Sequence, residues 1–198
     1  MRFKLWLLLA IGCFFVACKD EKVDSNMISS TSNISQEAIE QSKNLDKTSY
    51  AGLEHLFGDT ERISSNGKFV LLIFGKNNCQ WCDRLKDEIK ENKETQALLK
   101  QYFQTYYINL SYSKLHYLNF DGQESQRDTA ELAMEYSIRP TPTNIFLDSR
   151  GQTIFSWPGY FSQSQMQTIL GFIASKEYLK AKNQKEFFEI LDQKFKEI

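Results

Sequence analysis

Apolar positions are spaced unevenly along the chain, and their spacing divides it into elements. Residues 5–18 ("LWLLLAIGCFFVAC") form an almost unbroken apolar run after the basic start "MRFK". Residues 19–48 then lack aromatic side chains and fill with Ser, Asn, Gln, Lys and Glu, a composition that hydrates and does not pack. From Tyr50 the pattern becomes periodic. Leu53, Leu56 and Phe57 fall on one face of a short amphipathic helix predicted within "YAGLEHLFGDTERI". "NGK" turns the chain into "FVLLIF", whose length and continuous apolarity predict a central strand buried on both faces.

The next stretch, "CQWCDRLKDEIKENKETQALLKQY", predicts helix, with Cys82, Leu85 and Ile89 at i, i+3, i+7. A break is expected near Asn92, and Leu98, Leu99 and Phe103 resume the stripe. "FQTYYINL" reads as a second strand. Residues 111–127 form a polar and aromatic insertion with an Asp121-Gly122 turn signal. "DTAELAMEYSI" opens a helix with Asp128 and Glu131 at capping-box spacing. "TPTNIFLD" and "QTIFSWP", joined by "SRG", predict a β-hairpin. "SQSQMQTILGFIAS" and the tail "KEYLKAKNQKEFFEILDQKFKEI" predict helix. The order of these elements predicts an α/β fold: a mixed central sheet flanked by helices, with an extra C-terminal helical tail.

Composition changes this picture only slightly. The chain has 198 residues, 41% hydrophobic and 25% charged, which suits one domain with appendages. A net charge of −1, with no lysine/arginine stripe interleaved with aromatics, argues against nucleic acid as a partner.

The N-terminus has the layout of a secretory signal and stands outside the fold. Two cysteines, Cys13 and Cys18, could each end a bacterial lipoprotein signal. Cys18 fits better, because the apolar run continues through Phe14, Phe15 and Val16 and stops at Cys18 before "KDEKVD". The expected organisation is a lipoprotein signal peptide over 1–18 ending at lipidated Cys18, a flexible polar linker over 19–48 and a domain over 49–198. As a coil, that linker spans on the order of 30 Å. The protein would be anchored to a membrane in the periplasm by lipid, without spanning the bilayer. A soluble secreted product is the alternative.

Of four cysteines, only Cys79 and Cys82 remain beyond the signal. An exported chain with one close pair has no disulfide framework, so the pair reads as reactive. A zinc site would need two further ligands. His55 and His116 are too far apart in sequence to match a ligand spacing, so zinc would require a second copy of the chain. Haem attachment would need histidine where Asp83 stands. A structural staple closing so small a loop would add little chain-entropy stabilisation. Redox exchange has a mechanism at this position. Cys79, at the helix N-terminus, has its thiolate stabilised by free amides and becomes the exposed nucleophile. Cys82, one turn in, resolves the mixed disulfide. This chemistry calls for no cofactor and no metal.

"FVLLIFGKNNCQWCDRLKDEI" (69–89) followed by "IRPTPTNIFLDSRGQTIFSWPGY" (138–160) resembles the thioredoxin superfamily. Within it, the chain is similar to periplasmic thioredoxin-like proteins of the sulfur-oxidation accessory type, on "NFDGQE", "TPTNIFLD", "PGYFS" and "KEFFEIL". It has a milder likeness to the catalytic domains of bacterial disulfide isomerases and reductases. The resemblance implies a thioredoxin fold over residues 50–198. It also implies that Thr141-Pro142 is the loop whose cis proline lies beside the reactive disulfide and presents the preceding backbone to a bound peptide. Pro140 stands where relatives often have glycine. Ile73 stands where cytoplasmic thioredoxins carry an aspartate that helps deprotonate the second cysteine, so Lys76, water or another group must assist Cys82.

Trp81 is expected on the substrate-facing surface, with core packing as the alternative. His55 and His116 read as structural, and Trp157 and Tyr160 as core or rim. The implied activity is thiol-disulfide exchange with disulfide-containing proteins or thiol substrates. The likeness favours reduction or isomerisation, with electrons supplied by a membrane thiol reductase. A dithiol oxidase and a non-catalytic binding module are the rivals.

Overall fold

The computed structural model describes Leu45 and residues 47–198. The predicted signal, Cys13, Cys18 and the linker up to that point lie outside the described residues. Five α-helices and eight strands are found among the described residues.

The apolar run becomes β3 (Phe69–Gly75), buried from Val70 to Gly75. It is the middle strand of a five-stranded sheet. β1 (Phe57–Gly58) and β4 (Phe103–Asn109) lie parallel to it on one side, and β7 (Thr143–Leu147) and β8 (Thr153–Pro158) lie antiparallel in turn on the other. Burial on both faces explains why β3 shows no alternation of polar and apolar residues. The sheet is mixed, as the element order predicts.

Asn92 supplies the expected break. It closes α1 (Gln80–Glu91), donating its backbone N–H to Glu88 O, and its side-chain Oδ1 accepts from Thr95 N at 2.7 Å to open α2 (Lys93–Tyr102). α3 (Thr129–Glu135) starts at the predicted capping box, Asp128 with Glu131. A second box, Ser162 with Gln165, starts α4 (Gln163–Ala174). These side chains satisfy amides that the first helical turn leaves free.

Two regions differ from the sequence expectation. Leu53, Leu56 and Phe57 do not lie on a helix: residues 49–56 run in turns, leading to β1 and then β2 (Arg62–Ser64). Gly52 sits at φ +85° and interrupts helical dihedrals inside the stretch. The 111–127 insertion is a second sheet. β5 (Leu115–Phe120) and β6 (Gln123–Asp128) form a hairpin around Asp121-Gly122, both at positive φ, and β2 pairs with β5 in parallel.

The core lies in two layers. One holds Leu71, Ile73, Leu85, Ile89, Phe146, Phe155, Phe161 and Phe172, between the five-stranded sheet and α1, α2 and α4. The other joins Val70, Leu72, Phe74 and Ile145 to Leu132 of α3 and to Ile63 and Leu118 of the second sheet. The C-terminal tail belongs to the first layer. Lys176, at φ +61°, ends α4, a short 3₁₀ turn follows over Glu177–Lys180, and α5 (Gln184–Lys196) buries Phe187 and Leu191. Phe187 packs against Phe155 and Phe172 at ring-centroid distances of 5.1 and 5.4 Å. None of the described helices is long and apolar enough to cross a membrane.

Candidate active site

β3 ends at Gly75, where a Cβ would come within 1.9 Å of the Tyr107 hydroxyl. Only glycine lets the buried Tyr107 lie across this strand end, and burial first, with Asp83 second, pushes its phenol upward in pKa. The loop 76–78 then turns the chain into α1, with Asn78 at φ +54°. Asn77 fixes that loop. Its backbone N–H donates to Ser111 Oγ at 2.9 Å, its Nδ2 donates to Tyr112 Oη at 2.8 Å, and its Oδ1 accepts from Asn109 Nδ2 at 2.8 Å. Asn109 Nδ2 also donates to Ser49 Oγ at 2.8 Å, and Lys86 Nζ of α1 donates to Ser49 O at 2.8 Å.

Cys79 therefore arrives as the N-cap of α1, and its Sγ accepts the Cys82 backbone N–H at 3.3 Å. The two sulfurs are joined, 2.05 Å apart, with Cα atoms 5.2 Å apart. Cys82 is 0% exposed and Cys79 only 6%. The sequence leads one to expect a more open nucleophile. Its cover comes from the loop before β7: Cys79 Sγ lies 3.5 Å from both Thr141 O and Thr141 Oγ1. The Thr141–Pro142 bond is cis. Around it, Thr143 Oγ1 donates to Pro140 O at 2.8 Å, and Gly159 N–H donates to Pro142 O at 2.8 Å, so Pro140 takes part in a closed turn. The structure thus brings Cys79, Cys82, Thr141 and Pro142 together.

Trp81 is half exposed, at 50%, and does not join the core. Its ring lies 5.3 Å from that of Tyr160, and the Arg84 guanidinium sits 5.7 and 5.2 Å from the two ring centroids. Glu88 locks the group from behind, accepting from Tyr160 Oη and pairing with Arg84 Nε at 3.3 Å. Burial, then the bond to Glu88, holds the Tyr160 phenol above its ordinary pKa, and Glu88 raises that of Arg84. An aromatic and cationic rim therefore stands beside the sulfur pair. Tyr160 stands at the rim, one of the two places expected for it, and Arg84 and Glu88 are the unanticipated members: Tyr160 and Glu88 are far apart in sequence, and no local spacing connects them.

Other marked residues lie elsewhere. Ile73 is fully buried in the core layer under α1, and Lys76 is exposed. Trp157, partly buried, packs against the core on Phe161 at 5.0 Å. His55 Nε2 lies 3.3 Å from Gln96 Oε1, and His116 is buried with its ring nitrogens 2.7 Å from Thr60 O and 3.0 Å from Thr129 Oγ1. Among the described residues no group of three or more His, Cys, Asp or Glu side chains could hold a metal ion.

Comparison with known proteins agrees with this geometry. The family pattern described as a thioredoxin-like domain matches residues 56–174. A thioredoxin-fold protein from Helicobacter pylori is 39% identical and superposes with a TM-score of 0.74, the match covering 76% of this chain and 96% of that one. More distant are a thioredoxin from Thermus thermophilus (18% identity, TM-score 0.43, 56% of this chain and 76% of that one) and a disulphide isomerase from Xylella fastidiosa (18%, 0.41, 66% and 88%). No curated protein sequence matches the chain.

Proposed function

The chain belongs to the thioredoxin-like family, and from that premise we propose that it is an exported thiol-disulfide oxidoreductase, lipid-anchored at Cys18, that reduces or isomerises disulfides of periplasmic proteins or thiol substrates. The observation that carries the activity is the placement of Cys79 at the α1 N-cap, against Thr141, with Cys82 buried one turn behind it.

That placement assigns separate tasks to the two sulfurs. In the reduced pair, the amide that now points at Cys79 Sγ and the positive end of α1 stabilise a thiolate there. The Cys79 thiolate attacks one sulfur of the substrate disulfide, forming a mixed disulfide and releasing the other sulfur as a thiolate. Cys82 then attacks Cys79 Sγ, which breaks the bond to the substrate and closes Cys79–Cys82. Two electrons pass from the pair to the substrate, and the released thiolates take up two protons. Resetting the pair needs a dithiol donor, for which a membrane thiol reductase is the proposed source. Thr141 and Pro142 form the wall against which the substrate backbone lies, and Trp81 forms the rim.

Export and anchoring are supported by the signal-like residues 1–18 and the position of Cys18. The reductive direction is supported by the sequence likeness to sulfur-oxidation accessory and isomerase-type proteins. The deciding experiment replaces Cys82 with serine in cells and identifies trapped adducts by mass spectrometry. Mixed disulfides through Cys79 to specific periplasmic proteins are expected. Absence of any adduct would show a binding module, and adducts only to reduced, newly exported chains would show an oxidase.

A further inference from the structure

β7 carries a buried polar side chain that the exchange scheme above does not use. Asn144 is 0% exposed. Its Nδ2 donates to Gly159 O at 3.2 Å, which fixes the nitrogen end of the amide. Its Oδ1 is buried and accepts no hydrogen bond from any described residue. Leaving a buried acceptor unmade carries a desolvation cost, so such atoms call for an explanation.

Strand geometry shows where the amide lies. Successive side chains of a strand alternate between faces. Phe146 of β7 belongs to the layer under α1, whereas Ile145 and Leu147 belong to the other layer. Asn144, two residues before Phe146, is therefore on the α1 side. Its partner across the sheet is Ile73, also in that layer. Cys82 shares a helix face with Leu85 and Ile89, which pack in the same layer, and it occupies the first turn of α1. That turn follows the C-terminal end of β3 through the short loop 76–79, and Ile73, which pairs with Asn144, lies two residues before that end. Thr141, which touches Cys79, precedes Asn144 by three residues.

We propose that Asn144 is a positioning residue for the resolving cysteine: its Oδ1 accepts the Cys82 S–H whenever the pair is reduced. This rests on the oxidoreductase reading. In the disulfide form Cys82 has no proton to give, and Oδ1 is left without a donor. Reduction adds two electrons and, with Cys79 held as a thiolate, one proton to the pair, and that proton on Cys82 supplies the missing donor. When Cys82 later attacks Cys79 Sγ, that proton passes to the departing substrate thiolate and Oδ1 is orphaned again. Asn144 thus favours the dithiol over the disulfide, and it holds the Cys82 thiol in the interlayer until the mixed disulfide forms.

The test equilibrates the full chain against glutathione and reads the oxidised fraction of Cys79–Cys82. In Asn144→Leu the orphaned acceptor disappears from the disulfide form and the bond disappears from the dithiol form. The equilibrium is expected to move toward the disulfide by about three- to tenfold, the size of one net hydrogen bond. That corresponds to a potential more negative by ~15–30 mV. Two further readouts stand apart from the fold's stability. The S–H stretching band of Cys82, isolated as the difference between Cys79→Ser and Cys79→Ser/Asn144→Leu, should shift as the bond is lost. Asn144→Asp, which keeps the shape of the side chain, should add a pH dependence to the equilibrium. An unchanged equilibrium in Asn144→Leu, an unmoved S–H band or an Asn144→Asp profile identical to that of the parent overturns the proposal. If the parent pair fails to exchange with glutathione at all, the oxidoreductase reading fails instead, and the S–H band still decides the role of Asn144.

Discussion

Replacing Phe187 with alanine tests whether the C-terminal tail is an appendage or part of the fold. Phe187 is 7% exposed, with rings of Phe155 and Phe172 within 5.4 Å. Burying an aromatic side chain removes roughly 200 Å² from water, and at ~25 cal/mol per Å² this gives about 5 kcal/mol as an upper figure. Core truncations of phenylalanine cost about 3–5 kcal/mol, cavity included, so about 3–4 kcal/mol is expected here. With a urea slope of about 2 kcal/mol/M, the midpoint should fall by roughly 1.5–2 M. The assay is urea unfolding followed by far-UV circular dichroism and tryptophan fluorescence, which reports on Trp157 within the same layer. Phe188, 41% exposed on the same helix, is the control, and its alanine variant should lose under about 1.5 kcal/mol. An unchanged midpoint in Phe187→Ala, or a separate early transition of the tail with the rest unmoved, would refute the assignment of α5 to the core.

Asn109→Ala removes two donors that hold Asn77 and Ser49, and it should cost about 1–3 kcal/mol of stability. The same variant should alkylate faster at reduced Cys79 as the loop loosens; equal alkylation rates would show the loop to be fixed by other contacts. Asp59 is pulled in two directions: burial raises its pKa, but Lys114 and the Glu61 amide together hold it below its ordinary value of 3.8. A carboxyl depressed in the folded state stabilises above its unfolded pKa, and the contribution is lost as pH falls through the folded value. Asp59→Asn should therefore flatten the acid limb of stability below about pH 4, by less than about 1 kcal/mol for a pair this exposed; an unchanged limb would remove Asp59 from the account. Cys18→Ser should move the protein from the membrane fraction to the soluble periplasm, and retention in the membrane would point to Cys13 or an uncleaved signal.

Sequence patterns disclosed those elements whose burial is carried by their own residues. "FVLLIF" is apolar throughout because both faces of β3 are covered, and Asn92 and Asp128 announce helix ends through their own side chains. The Leu53–Phe57 stretch misleads because consecutive turns can bury side chains at the same spacing as a helix face; Leu53 and Phe57 do reach the core. β6 ("QESQRD") carries no alternation at all, since it is largely exposed and is a strand only through its pairing with β5. At the site, the cysteine pair and Thr141-Pro142 are visible as short motifs. Trp81 and Tyr160 are legible singly, as surface and rim, but their joining through Arg84 and Glu88 is not, because the loop after β8 meets α1 only once the sheet has formed. Asn144 is equally hidden: within "TPTNIFLD" it reads as one strand position among several, and only the register opposite Ile73 shows which layer it enters.

The hydrogen bonds of Ser49 couple the start of the described domain to its site. Ser49, near the start of the described residues, is bonded both to Lys86 on α1 and to Asn109, whose amide also holds the loop before Cys79. Ser49 is thus tied into the same hydrogen-bond set as the loop before the sulfur pair. A pull on the chain at Ser49 is therefore felt at the loop that presents Cys79.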